Sequence, residues 1–344
     1  MKNNYQKSLK VLLVENDQYP NNFFTHLNQV WDLSPIKRHL ITDNPIEADI
    51  ILFVDVNKER FYQRLRSHPF ILRFPEKSFV YDECDVVIPF LPGIYTSAEK
   101  SFINLKRLRN YCYLSRHSYS NNSCITPRRE KKEYLFTFLG GSTSLLRKRL
   151  YNIDFKEPNI LVEDTTYYQH WNYTQASREQ MQQRFVDICA KSSFVLCPRG
   201  AGCGSIRLFE MMEMGVVPVI IADNYLLPKG PIWKEFAVFI KEKDIRKLPF
   251  ILKNRVSEAE KMGDLARQAW KEWFAPDKQF NYIVEACNDI KENRVLNEKA
   301  YRICWKLLIV KAFLWSYIRD FLRKMILKTV KLLKIKFPYS IGRA

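Results

Sequence analysis

Glycine is scarce in this chain: 344 residues hold only 10. That excludes a collagen-like or glycine-rich flexible protein, and it means that any cluster of glycines needs a local cause. Histidine is scarcer still, with 5 residues so dispersed that no two stand as a metal-ligand pair. The 8 cysteines include no C-x-x-C, which argues against a zinc module and for reduced, mostly buried thiols. No two aspartates stand two residues apart, so an Asp-x-Asp cation motif is missing. Long apolar runs are missing as well. The run from Leu9 to Val14 is broken by Lys10, is too short for a secretory segment and has no cleavage site after it. The reading is a first strand in a cytoplasmic protein.

The chain does have a core. Hydrophobic residues make up 47% and aromatics 14%, enough for two domains of ordinary size. The net charge is +18, of which +9 lies between Trp305 and Ala344, leaving 18 − 9 = +9 for the other residues. In that tail Leu314, Trp315, Ile318, Phe321, Leu322, Met325, Ile326, Leu332 and Leu333 fall on one helical face, with Arg319, Arg323, Lys324, Lys328, Lys331 and Lys334 on the other. The apolar run Leu307–Ile318 contains Lys311 and is too short to span a bilayer, so the pattern points to an anionic membrane surface met by residues 305–336. The plainer alternative is a C-terminal helix packed on the protein. No nucleic-acid module accompanies the basic residues, which argues against that partner.

Short apolar runs alternate with helical patterns, the mark of an α/β chain with parallel sheets. Strands are expected at Lys10–Val14, Asp49–Val54 and Lys77–Tyr81, followed by an apolar loop, VVIPFLPGIYTS. The polar, basic stretch 115–132 suits a linker. Beyond it come a strand at Tyr134–Leu139, the pair Gly140–Gly141, a helix carrying Arg147, and a strand at Asn159–Val162. A helix at Ser177–Lys191, strand Phe194–Cys197, helix Ser205–Met214 and strand Val216–Ala222 follow, with helices near Ser257–Phe274 and Asp277–Lys291. The division is residues 1–115, a linker 116–132, a second domain 133–292 and a basic helical tail 293–344.

Four of the 10 glycines crowd into CPRGAGCGSIRLFEMMEMG, residues 197–215. A strand that ends in glycine-rich backbone and opens a helix brings main-chain N–H groups and the positive end of the helix dipole to a phosphate. Gly200, Gly202 and Gly204 fit that role, with Ser205 at the helix start. Arg199 and Arg207 would clamp a diphosphate, and Glu210 lies where a carboxylate accepts from ribose hydroxyls. A tight turn with surface ion pairs is the plainer reading of such a loop. It is neither G-x-G-x-x-G nor a Walker loop, so NAD and ATP hydrolysis are not implied. Cys197 and Cys203 flank it with no histidine nearby, which argues against thiol catalysis. His170, in YYQHWNY, could stack an acceptor sugar or simply pack, and the acceptor patterns at Asn121 and Asn172 read as chance.

The stretch SSFVLCPRGAGCGSIRLFEMMEMGVVPVIIADNYLLP resembles the signature of the exostosin family of glycosyltransferases. YLFTFLGG with Arg147, EFAVFIKEKDI and PFLPGIYTS resemble further pieces of it, so the likeness runs from about residue 45 to 290. The resemblance implies a GT-B fold, two Rossmann-like domains facing a cleft, and a nucleotide-sugar donor, usually UDP-linked, held by the second domain. By motif position Arg199, Arg207 and Glu210 would bind the donor, Glu210 at the ribose, with Gly140, Gly141 and Arg147 across from them. It departs from the family at Ser144–Arg147, where a His-Pro-Val-Arg run is usual.

The implied reaction is an inverting, metal-independent transfer to a glycan or lipid-linked glycan at the cytosolic membrane face, with no cofactor besides the UDP-sugar co-substrate. Inversion needs a general base for the acceptor hydroxyl. Asp82 in YDECD ranks first, with Asp55, Glu83 and Asp85 as alternatives. A GDP-sugar transferase such as a fucosyltransferase and a non-catalytic nucleotide-sugar scaffold are the other readings.

Overall fold

Strand formation follows the apolar runs. In the computed structural model, which describes residues 8–15, 22–54, 65–100, 106–114, 130–168, 175–305, 307 and 310, two wholly parallel sheets form. The first contains β1 (Lys10–Val14), β2 (Leu40–Ile41), β3 (Ile50–Val54), β4 (Ser78–Asp82), β5 (Gly93–Tyr95) and β6 (Leu108–Arg109), in the order β2-β1-β3-β4-β5-β6. The second contains β7 (Tyr134–Gly140), β8 (Ile160–Asp164), β9 (Ser192–Pro198), β10 (Val217–Ile221) and β11 (Val238–Phe239), in the order β11-β10-β9-β7-β8. Its strands β9 and β10 are buried along their whole length, as parallel strands covered on both faces must be.

The helices are α1 (Asn22–Leu33), α2 (Pro69–Arg73), α3 (Leu145–Tyr151), α4 (Gln175–Ala190), α5 (Ile206–Met214), α6 (Leu248–Lys253), α7 (Ala259–Trp273) and α8 (Pro276–Glu292). Two parallel α/β sheets agree with the expected GT-B class. The bounds expected for the named strands and helices hold to within a few residues, while β2, β6, α1, α2 and α6 are additions to the expected set and, as a correction, the apolar stretch read as a loop contributes β5, a strand between β4 and β6. Its Gly93 lies opposite Val80, and a Cβ there would stand 2.0 Å from the Val80 carbonyl oxygen.

By sequence α8 follows the second sheet, yet it packs on α1 and on the first sheet. Arg109 of β6 donates to Asp289 on α8 at 2.8 Å, and Tyr111 stacks on Tyr282 with ring centroids 4.1 Å apart. One core cluster therefore runs from Val11, Leu52 and Tyr81 through Cys287 and Phe274 to Phe209 and Val195. A second cluster, including Phe136, Phe138, Leu150 and Val219, fills the opposite face of the second sheet.

The chain divides into two compact units, residues 1–87 with 91–295, and 88–90 with 296–344. Both sheets lie in the first unit. In the second, Phe90 and Trp305 meet edge to face at 5.5 Å, while Ile303, Leu307 and Val310 are exposed. No helix among the described residues is long and apolar enough to cross a membrane. The amphipathic pattern beyond residue 310 and most of the expected linker lie outside the described residues.

Candidate active site

In the second sheet β7 is flanked by β8 on one side and β9 on the other, so successive connections wind away from each other. Ligands of open α/β sheets bind outside the carboxyl ends of the strands at this reversal. Here those ends are Gly140 and Pro198, and the crevice is walled by residues 141–144 and 199–205. Ser144 joins the two walls. It is the N-cap of α3, its Oγ accepting the Arg147 N–H at 3.3 Å, and it donates to the Arg199 carbonyl at 3.1 Å.

Two guanidinium groups lie over one aromatic ring in this crevice. Arg147 and Arg207 stand 5.4 and 4.7 Å from the centroid of Phe138. Arg147 donates to the carbonyls of Gly141 and Pro198, each at 3.1 Å, and Arg207 donates to the Leu139 carbonyl. Neither forms an ion pair with a carboxylate among the described residues. Burial, with the Arg207 charge as a second cause, pushes Arg147 well below the guanidinium range, to about 10. Both Nε atoms are buried without a hydrogen-bond partner, as is Ser205 Oγ at the start of α5. The site gathers positive charge and unused donors.

Arg199, expected with Arg207 to clamp a diphosphate, has its guanidinium taken up by a carboxylate. Its Nε and Nη2 donate to Glu242 Oε1 and Oε2 at 2.6 and 3.1 Å, a two-pronged ion pair that also raises its pKa. Nothing local in the sequence marks Glu242, whose partner stands 43 positions away.

The glycines divide by what they face. A Cβ on Gly200 would stand 3.2 Å from Thr143 Oγ1 and 3.5 Å from Arg147 Nη2, and one on Gly140 would stand 3.0 Å from Arg207 Nη2. Gly141 is roomier, with Thr143 Cγ2 3.8 Å from such a Cβ. Gly202 and Gly204 instead face the first half of the chain. A Cβ on Gly202 would stand 2.5 Å from Ser97 Oγ, and one on Gly204 would stand 2.2 Å from Tyr113 Oη and 2.8 Å from the Thr96 carbonyl oxygen. None of these needs a positive φ. Gly215 does: at φ 73° it ends α5 in the left-handed conformation.

The carboxylates re-rank too. Asp82 ends β4 fully buried, with Oδ1 accepting the Cys84 N–H at 2.7 Å, a poor position for a proton acceptor open to a substrate. Glu83 accepts the Leu114 N–H. Asp85 is exposed and stands against the glycine loop, its Oδ1 accepting the Gly202 N–H at 3.2 Å. Asp55 and His170 lie outside the described residues. Glu210 sits half-buried in the second turn of α5, close enough to add to the burial that raises Cys189 and Cys197, the latter to about 12. Cys203 is likewise pushed up to about 12, so neither loop thiol is poised as a nucleophile.

Residues 98–255 match the family model described as the exostosin GT47 domain. That stretch, just under half of the chain, is similar to exostosin GT47 domains. Both crevice walls, Arg147, Arg207, Glu210 and Glu242 lie inside it, whereas Asp82 and Asp85 precede it. Exostosin-1 homolog of Caenorhabditis elegans is 25% identical over 175 residues, 46% of either chain. "Probable beta-1,4-xylosyltransferase IRX10" of Arabidopsis thaliana is 44% identical over 64 residues, 18% of this chain and 16% of its own. This chain thus matches less than half the length of either relative. Among solved structures, TarM aligns at TM-score 0.39 and 9% identity, covering 78% of this chain and 59% of its own.

Proposed function

We propose that this chain is an inverting, metal-independent glycosyltransferase that moves a sugar from a UDP-sugar to a glycan or lipid-linked glycan. The observation that carries the reading is the pair Arg147–Arg207 at the switch point of the second sheet, two close cations with no carboxylate between them among the described residues. Such a pair stabilises a bound anion, and it stabilises more strongly one whose charge grows as it leaves. In the proposed reaction the acceptor oxygen bonds to the anomeric carbon from one side while the bond to the diphosphate breaks on the other. The departing charge falls on Arg147, Arg207 and the start of α5 with its unpartnered Ser205 hydroxyl, and Glu210 takes the ribose. Gly200, Gly140 and Gly141 keep the approach open. Asp85, across the glycine loop, takes the proton of the acceptor hydroxyl.

The test is calorimetric binding of UDP, GDP, ADP and their sugars to the wild type and to Arg207→Ala. UDP is expected to bind, and the variant to bind roughly 10–100-fold more weakly, the scale of a lost charge-assisted hydrogen bond. Preference for GDP would move the assignment to a GDP-sugar transferase; binding without turnover on any sugar nucleotide would favour a scaffold. Equal binding by the variant would end the donor-site assignment.

The same reading places the protein at the cytosolic membrane face, held by residues 305–336. Support comes from the +9 charge carried between Trp305 and Ala344 and from the exposed Ile303, Leu307 and Val310 at the start of that stretch. Deleting the chain after Trp305 is expected to abolish co-sedimentation with anionic liposomes at low salt, and unchanged co-sedimentation counts against it.

A further inference from the structure

Arg199 joins three loops that leave the carboxyl edge of the second sheet. Its N–H donates to the Ile221 carbonyl at 3.1 Å, at the end of β10, and its own carbonyl accepts the Ser144 hydroxyl at 3.1 Å, in the wall after β7. Its side chain reaches Glu242, just beyond β11, through two parallel bonds. Glu242 is held in turn, since its N–H donates to Asp223 Oδ1 at 3.0 Å. The pair is mostly shielded, with the Arg199 and Glu242 side chains 30% and 20% exposed, and two-pronged geometry is what distinguishes an effective surface pair from an idle one. A guanidinium already satisfied in this way does not have both prongs for a phosphate.

We propose that Glu242 is a positioning residue for the donor site: by fixing the Arg199 guanidinium it locks the glycine loop in register with the wall that carries Arg147, so that Arg199 acts as a strut and Arg147 and Arg207 hold the diphosphate. This rests on the donor-site reading above. The strut explains why three arginines gather at the crevice and, among the described residues, only one has a carboxylate. It also gives the loop after β11 a part in donor affinity without any contact of its own to the donor.

The experiment is calorimetry with UDP on the full chain as wild type, Glu242→Gln, Arg199→Lys and the double variant, with donor KM and kcat for the same four and melting curves as a folding check. Glu242→Gln keeps the volume and Arg199→Lys keeps the charge, while each removes one of the parallel bonds. Each single change is expected to weaken UDP about 5–10-fold and raise donor KM in step with kcat little changed, and the double variant to be no worse than the worse single, as members of one unit behave. A lysine that binds UDP weakly beside a Glu242→Gln that binds as well as wild type, or better, would show Arg199 meeting the phosphate itself and overturn the inference. Additive losses in the double variant would overturn it as well. If wild type binds no nucleotide, the donor-site reading fails and the strut falls with it; wild-type binding that all variants retain removes the strut alone.

Discussion

The glycine loop has two sides made of the same residue type for different ends. On the side of β7, Gly200 stands beside Thr143 and Arg147, and Arg147 and Arg207 have no carboxylate partner among the described residues. On the other side, Gly202 and Gly204 are pressed against Ser97, Asp85, Thr96 and Tyr113 of the first half, leaving no room for even a methyl group. One side keeps its space beside two cations and the other uses up its space in a seam between two sheets. A glycine cluster between a strand and a helix therefore need not serve one purpose along its length.

The sharpest way to separate the sides is at Asp85. Asp85→Asn keeps an oxygen for the Gly202 N–H and removes the proton acceptor, so kcat is expected to fall by about 10²–10⁴-fold while nucleotide affinity stays as it was. A matching loss of UDP affinity would mean that the two sides act as one. The seam is tested by Gly204→Ala, whose methyl group would meet Tyr113 Oη and the Thr96 carbonyl and cost about 1–3 kcal/mol in a denaturant melt. Tyr113→Phe in the same chain removes the nearer obstacle and is expected to restore part of that loss; no restoration would place the strain elsewhere.

The smallest effect belongs to the side of Arg147. Because Arg147 is held down to about 10, raising the pH through that value removes its charge and weakens UDP binding a few-fold. The sign for folding is the reverse. A cation whose pKa is lowered by folding opposes the folded state while it is charged, so its penalty is present below about 10 and fades as the pH climbs from there toward the ordinary arginine range. Titration calorimetry between pH 8 and about 10.5, beside melting curves over the same range, reads both directions, and a UDP affinity flat across it would detach Arg147 from the ligand.

Much of the frame was legible. Parallel strands covered on both faces read as plain apolar runs such as IILFV and VPVII, and these registered without ambiguity. Strand β5 did not, since it is three residues long, begins with glycine and follows Pro92, all signals of a turn. The candidate site was legible in its motif and not in its partners. Arg207 and Glu210 could be placed from their spacing on one helix. Phe138, which carries both guanidinium groups, looked like any core residue of a strand. Asp82 outranked Asp85 because burial at a strand end cannot be seen in a run of acidic residues, and Glu242 was invisible because its meaning lies in a tertiary pair.

The placement of α8 has a consequence for how the chain is made. The strands of the first sheet are complete at Arg109, yet the helix that covers them ends at Glu292, 292 − 109 = 183 residues later. At a synthesis rate of about 5–20 residues per second, that sheet waits roughly 10–40 s with its apolar face uncovered. Final closure of the first half is thus timed by the arrival of α8 from the far end of the second half.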